Sequence, residues 1–243
     1  MKGFQDKLGL MKNVVVIGAN RGLGLGFTEA LLKRGCHVIA TVRSPLHGAS
    51  LEKLAAEAPL DVMQLDVADP ISRQRFHRDL ATRKIDTVIH NAGIYGPRGL
   101  VPGKIPEDSW MEVLRIDTVA PLIVTQGLLP QLRLSAASGN PTAIHFLSSR
   151  MGSIADNGSG GNYIYRSAKA GLNAAVRSLA LDLSPDGIRV QLLHPGWVKT
   201  GMGGEQAPLS VKDSVEGLLE RCAELEMVDT GRFVDWCGED IPW

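Results

Sequence analysis

The chain is short of cysteine and aromatic side chains, and neither sign of charge is in excess. Its 243 residues include only Cys36, Cys222 and Cys237, an odd set without the paired spacing of a zinc site or a disulfide framework. Lys plus Arg and Asp plus Glu both total 26, so no net charge favours nucleic acid or an anionic membrane surface. We therefore expect a cytoplasmic protein with a small-molecule partner, which binds neither nucleic acid nor membrane.

Long apolar runs are also missing from the sequence. Residues 1–12 carry scattered charges instead of the apolar core of a signal peptide, and no later segment predicts a membrane span. We interpret residues 1–12 as an N-terminal extension and residues 13–243 as one domain. Met1 and Met11 both stay open as the native start.

Short apolar, β-branched runs alternate with longer stretches of helical periodicity. This alternation is typical of parallel strands joined by crossover helices. It predicts a single-domain α/β fold, a doubly wound parallel sheet (Rossmann fold) of about seven strands flanked by helices. The predicted strands are Asn13–Gly18, His37–Val42, Asp61–Asp66, Ile85–His90, Thr142–Ser148, Ile188–His194 and Arg232–Trp236. The predicted helices are Gly24–Arg34, Ser50–Ala58, Pro70–Thr82, Glu107–Leu134 and Tyr163–Ser184.

A glycine-rich loop follows the first predicted strand and opens the first helix. Its residues are Gly18, Ala19, Asn20, Arg21, Gly22, Leu23 and Gly24. Because glycine has no side chain, the backbone of this loop can approach a pyrophosphate closely. The N-terminus of the helix then stabilises the negative charge of the pyrophosphate. The alternative is a tight turn that only packs the helix on the strand.

The end of the second strand indicates which dinucleotide binds. An NAD site usually offers an acid to the ribose there, whereas this strand ends at Arg43. Arg21 is a second candidate for the 2′-phosphate, although both arginines are equally compatible with solvated surface positions. Asp66 and Val67, after the third strand, are expected to meet the adenine. The sequence predicts NADP(H).

Tyr165 and Lys169 lie four residues apart in a predicted helix, so their side chains share a face. A free tyrosine has a pKa near 10, and a neighbouring ammonium group together with the positive nicotinamide of a cofactor would lower it enough for acid–base catalysis at neutral pH. As an isolated pattern, this spacing is common on helix surfaces.

Together with other motifs, the pair resembles the short-chain dehydrogenase/reductase family, in its group of C-factor-like and sniffer-like carbonyl reductases. The resemblance spans essentially the whole chain. The motifs that carry it are the Gly18–Gly24 loop, Asn91-Ala92-Gly93, Ser148-Ser149, Tyr165-Arg-Ser-Ala-Lys169, the run from His194 to Gly204, and the ending Gly231-Arg-Phe-Val-Asp with Ile-Pro-Trp243.

The resemblance implies an NADPH-dependent reductase for an aldehyde or ketone, or the reverse alcohol oxidation. Tyr165 would be the general acid/base, Lys169 would lower its pKa, and Ser149, with Ser148 as the alternative, would polarise the substrate oxygen. Asn91, Ala92 and Gly93 would line the cofactor, and Pro195, Gly196, Val198 and Thr200 would hold its nicotinamide end.

One residue departs from the family pattern. The catalytic asparagine of the family falls in a segment resembling Arg115–Pro121, where this chain has Asp117. We hypothesise that Asp117 substitutes for it, although its charge opposes a tyrosine phenolate. The competing hypothesis is an NADP(H)-binding signalling or regulatory protein with little turnover.

The remaining expectations concern metals, substrate and assembly. His90, His145 and His194 are interpreted as structural, and no metal is expected. Substrate contacts should come from loops Tyr95–Pro106, Arg150–Met151 and Trp197–Pro208. There Arg150 and Lys199 are equally compatible with an anionic substrate group and with ordinary surface charges. The helices Glu107–Leu134 and Tyr163–Ser184 are candidates for a homodimer or homotetramer interface.

Overall fold

The computed structural model describes residues 11–44 and 49–243, which contain one seven-stranded parallel sheet. The strands are β1 (Asn13–Ile17), β2 (His37–Val42), β3 (Leu60–Gln64), β4 (Thr87–His90), β5 (Thr142–Leu147), β6 (Ile188–His194) and β7 (Phe233–Asp235). Their order across the sheet is β3-β2-β1-β4-β5-β6-β7. The predicted doubly wound sheet is confirmed.

The order of the strands positions the functional site. The chain moves outward from β1 through β2 to β3, then crosses back to β4 on the other side of β1. Beyond the carboxyl ends of β1 and β4, the loops diverge and leave a crevice where open α/β sheets bind ligands.

Seven α-helices flank the sheet in the described ranges. They are α1 (Gly22–Lys33), α2 (Ala49–Ala55), α3 (Pro70–Asp79), α4 (Glu107–Leu114), α5 (Ala120–Ala137), α6 (Tyr163–Leu183) and α7 (Val211–Glu224). The sequence interpretation missed α7, although its apolar residues recur at helical spacing. The predicted helix over Glu107–Leu134 is confirmed by the helical run Glu107–Ala137, in which a π-helical turn, Arg115–Val119, joins α4 to α5.

Two apolar cores lie on opposite faces of the sheet, because successive strand residues point to opposite sides. In β1, Val15 faces the core formed with α3, α5 and α6, and Val16 faces the core formed with α1 and α7.

The helical run Glu107–Ala137 is long and apolar enough to cross a membrane, judged by its length and by a mean hydropathy of 1.2. The sequence interpretation overlooked this feature. Its α5 segment instead packs Val124 and Leu128 into the first core.

The start of the described chain is tied to the sheet. Met11 is buried and its carbonyl oxygen accepts from Cys36 Sγ, while the N–H of His37 donates to the carbonyl of Lys12. Residues 1–10 of the proposed N-terminal extension lie outside the described residues. The other two residues of that extension contact β2 and the residue before it.

Candidate active site

The residues expected to perform chemistry converge on one cavity of about 530 Å³. The cavity lies over the carboxyl ends of the central strands. Its lining includes Tyr95, Arg98, Ser149, Arg150, Tyr165, Arg166, His194, Pro195, Trp197 and Met202. The structure thus places side chains from the loops after β4, β5 and β6 and from α6 around one space.

Tyr165 and Lys169 lie on the same buried face of α6. The Lys169 ammonium is 5.6 Å from the centre of the Tyr165 ring, and both residues are less than a tenth exposed. Lys169 Nζ also donates to the carbonyl of Leu147, at 3.2 Å. The spacing of four residues therefore brings the cation next to the phenol, as the sequence predicts.

Asp117 sits in the π-helical turn and is fully buried. One carboxylate oxygen accepts from the N–H of Ile94 at 2.8 Å, and the other lies 3.1 Å from Lys169 Nζ. A Cβ atom on Gly93 would come within 3.1 Å of this carboxylate, so a glycine there leaves it room. Asp117 is thus built into the site as the ion-pair partner of Lys169.

The charges around Tyr165 only partly follow the sequence expectation. Burial raises the pKa of Tyr165; Lys169 lowers it and Asp117 raises it, with a net shift above the ordinary tyrosine value. Burial works against the charge of Lys169, yet Asp117 raises the pKa of that ammonium above its usual value. Lys169 acts on the phenol in the expected direction, but burial and Asp117 outweigh it here. The expected net lowering of the Tyr165 pKa, which also needs a positive nicotinamide beside the phenol, stays a prediction.

Ser149 rather than Ser148 faces the phenol. The hydroxyl of Ser149 accepts from the N–H of Met151 at the start of a short 3₁₀ turn, and its hydrogen bond to Tyr165 lowers the tyrosine pKa. The Ser148 hydroxyl instead donates to Asn173 Oδ1 at 2.6 Å. Sequence reasoning missed Asn173, although it lies four residues after Lys169 on the same helix.

Tyr95 is the other aromatic residue of the site, anticipated only as part of a substrate loop. Its ring stacks on that of Tyr165 with centroids 4.4 Å apart and planes inclined by 20°. Its hydroxyl bonds to Asn162 Oδ1 at 3.1 Å, just before α6 begins. Tyr95 therefore forms a wall of the cavity against the Tyr165 phenol.

The glycine loop has the geometry that a dinucleotide needs. A Cβ atom on Gly24 would lie 2.0 Å from the carbonyl oxygen of Gly18, so the loop closes only with a glycine. Asn91 Nδ2 donates to this same carbonyl and ties the loop to the end of β4. Arg21, at the N-cap of α1, forms no side-chain cap, so the helix N-terminus fits a pyrophosphate.

The residues expected at the adenine end occupy the loops after β2 and β3. Arg21 and Arg43 are exposed, and Arg21 Nη1 lies beside Gly201. No acidic residue follows β2 up to Ser44, so the residue types there fit a 2′-phosphate. Asp66 accepts from the N–H of Ala68 and so helps to form its own turn.

The loop after β6 brings the expected nicotinamide-end residues to the cavity. Pro195, Gly196, Val198 and Thr200 all line it. Ser214 of α7 donates to the carbonyl of Pro195, and Thr200 Oγ1 accepts from the N–H of Gly203. The missed helix α7 thus holds one end of this loop in place.

The three histidines near strand ends are uncharged at neutral pH. Burial, followed by the charge of Lys169 for His90 and of Arg189 for His145, lowers the pKa of each to about 3. Burial and Arg150 lower the pKa of His194 to about 4. The single cluster with metal-ligand spacing among the described residues contains Asp235, Cys237 and Glu239, and no histidine.

The doubly wound sheet, the glycine-rich first turn and the buried Ser149–Tyr165–Lys169 cluster define a Rossmann-fold oxidoreductase. The family model described as short chain dehydrogenase matches residues 12–209, and the chain belongs to that family. The resemblance seen in the sequence is thereby confirmed.

Individual relatives place the chain near the carbonyl reductases. It is 41% identical to C-signal of Myxococcus xanthus over 168 residues, which cover 69% of this chain and 98% of that protein. The carbonyl reductase Sniffer of D. melanogaster superposes with a TM-score of 0.90 at 32% identity, covering 96% of this chain and 99% of that one. The NADPH-bound carbonyl reductase from chicken fatty liver gives a TM-score of 0.88 at 35% identity, with the same coverage.

Proposed function

We propose that the protein is an NADPH-dependent carbonyl reductase that transfers hydride between NADP(H) and an aldehyde or ketone, or the corresponding alcohol. The observation that carries this proposal is the contact of Ser149 and Lys169 with Tyr165 at the wall of a cavity large enough for a small substrate. NADPH-bound and Sniffer-type carbonyl reductases of the same fold support it.

The chain's own residues supply binding and proton transfer. The Gly18–Gly24 loop, Arg21 and Arg43 would hold NADP(H), which would supply the hydride when bound. Ser149 donates a hydrogen bond to the carbonyl oxygen, and Tyr165 gives that oxygen its proton as the alkoxide develops. Lys169 stabilises negative charge on Tyr165 Oη, and Asp117 moderates that effect.

The raised pKa of Tyr165 favours the reductive direction at neutral pH. A tyrosine that stays protonated is ready to donate, whereas alcohol oxidation needs the phenolate. We therefore expect carbonyl reduction to proceed at neutral pH and alcohol oxidation to require alkaline solution.

A titration with NADPH and NADH, followed by cofactor oxidation with a panel of aldehydes and ketones, tests the proposal. Tighter binding of NADPH and carbonyl-dependent oxidation by the wild type support it. Binding without turnover across the panel would favour the second candidate, an NADP(H)-binding regulatory protein. That candidate draws support from Asp117 beside Lys169 and from the similarity to C-signal.

Assembly and location belong to the same proposal. We propose a cytoplasmic protein, as a homodimer or homotetramer through α5 and α6, on which Ile123 and Leu181 are exposed. Light scattering of the purified protein, coupled to size-exclusion chromatography, measures the mass of the assembly. A monomer at micromolar concentration contradicts the assembly part alone.

A further inference from the structure

Three arginines line the cavity that contains Tyr165. They are Arg98 from the loop after β4, Arg150 from the 3₁₀ turn after β5, and Arg166 from α6. Asp156 is the single acidic residue of that lining. The charged side chains of this lining are therefore predominantly cationic.

Arg150 is already neutralised by carboxylates. Its guanidinium nitrogens lie 3.7 Å from Asp156, 3.6 Å from Asp235 and 4.0 Å from Glu239. Asp156 is thereby committed to Arg150, and Arg150 is committed to structure. The expectation of an anion contact at Arg150 therefore shifts to its neighbours.

Arg98 and Arg166 contact only neutral groups within the described ranges. Arg98 Nη2 donates to the carbonyl of Met202, and its guanidinium lies 4.1 Å from the centre of the Tyr95 ring. Arg166 donates to the carbonyl of Met151 and to the hydroxyl of Ser159. No carboxylate of the described residues pairs with either arginine, so both keep a full positive charge beside the cavity.

The position of Arg98 relates this charge to the reacting atoms. Tyr95 stacks on Tyr165 and carries the Arg98 guanidinium on its ring, so Arg98 is linked to the catalytic phenol through a single aromatic ring. Arg166 follows Tyr165 directly in α6. If the substrate carries an anionic group several bonds from its reacting carbonyl, that group would lie on the side of the cavity that Arg98 and Arg166 line.

We propose that the substrate is an aldehyde or ketone bearing a carboxylate, which Arg98 and Arg166 bind while Ser149 and Tyr165 hold the carbonyl. This inference rests on the proposed reductase function and adds its substrate class. A guanidinium matches the planar fork of a carboxylate, and Trp197 offers a flat surface for an aromatic or unsaturated body between the two groups. Arg98 is exposed, so its attraction for the anion weakens with salt.

The test compares 4-carboxybenzaldehyde with its uncharged methyl ester, methyl 4-formylbenzoate. We measure kcat/KM for both with saturating NADPH in the wild type and in the double variant Arg98→Gln, Arg166→Gln. Arg78→Gln is the matched control, because Arg78 is exposed on α3 and outside the cavity lining. We expect the wild type and the control to prefer the acid by about tenfold at low salt. The double variant should lose most of this preference, and added salt should reduce it in the wild type.

Equal kcat/KM for the acid and the ester in the wild type would overturn the substrate class, as would a preference that survives in the double variant. If neither aldehyde is reduced, the reductase proposal fails separately. Calorimetry with benzoate and benzamide in the presence of NADP⁺ then decides the anion site. The anion site is supported if benzoate binds the wild type more tightly than benzamide does and this difference is lost in the double variant. It is rejected if the two probes bind the wild type equally or if neither binds.

Discussion

Replacing Asp117 by Asn removes a negative charge from the Lys169 ion pair while leaving the shape of the side chain. The amide oxygen can still accept from the N–H of Ile94, so the π-helical turn keeps its anchor. Because Asp117 opposes the phenolate, we expect the pKa of Tyr165 to fall in the variant.

The contacts set the size of the effect. Asp117 Oδ2 lies 3.1 Å from Lys169 Nζ, which is 5.6 Å from the Tyr165 ring centre, so the carboxylate is within about 9 Å of the ring. At an effective dielectric constant of about 20, a charge at this distance changes the energy of the phenolate by about 2 kcal/mol. That energy corresponds to a fall of slightly more than one pKa unit.

The assay is the pH dependence of kcat/KM for alcohol oxidation and for carbonyl reduction. Oxidation needs ionised Tyr165, so its rising limb should move about one pH unit toward acid in Asp117→Asn. Reduction needs the protonated phenol, so its falling limb should move the same way. Asp182→Asn, which removes an exposed acid from α6, is the control and should leave both limbs in place.

An unchanged pH profile in a folded Asp117→Asn protein would refute this reasoning and remove Asp117 from the mechanism. Thermal unfolding must accompany the assay, because breaking a buried ion pair costs about 3–5 kcal/mol of stability. A movement of the oxidation limb toward alkali would also contradict the assigned direction of the charge effect.

Three further predictions concern the catalytic and cofactor groups. Tyr165→Phe should lower kcat by about 10²–10⁴-fold with little change in NADPH affinity, as fluorescence titration would show; retained turnover would reject Tyr165 as the acid. Ser149→Ala should lower kcat about 10²-fold, whereas Ser148→Ala should mainly lower the melting temperature, because it removes the hydrogen-bond partner of Asn173. Steady-state kinetics and scanning calorimetry on both variants measure these effects. A loss of kcat in Ser148→Ala with a loss of melting temperature in Ser149→Ala would exchange the two assignments. Arg43→Glu should reverse the preference for NADPH over NADH in competitive titrations, and a preserved preference would leave Arg21 as the residue that selects the phosphate.

The local sequence determined the strands and the glycine loop with little help from the rest of the fold. β-Branched runs such as Val14, Val15 and Val16 favour buried strands, and Gly24 permits a backbone approach that any side chain would block. The four-residue spacing of Tyr165 and Lys169 placed them on one helix face. These features depend on neighbours in the chain, which is why they can be predicted from it.

The tertiary structure decided which side chains act together and how strongly. Ser149 meets Tyr165 only because β5 ends beside α6, and Ser148 meets Asn173, about two turns further along the same face of that helix. The burial of Asp117 in the π-helical turn between α4 and α5 and the net rise of the Tyr165 pKa likewise depend on packing and on charges distant in sequence. Periodicity is a local property, whereas desolvation and ion pairing follow from the packing of the whole chain.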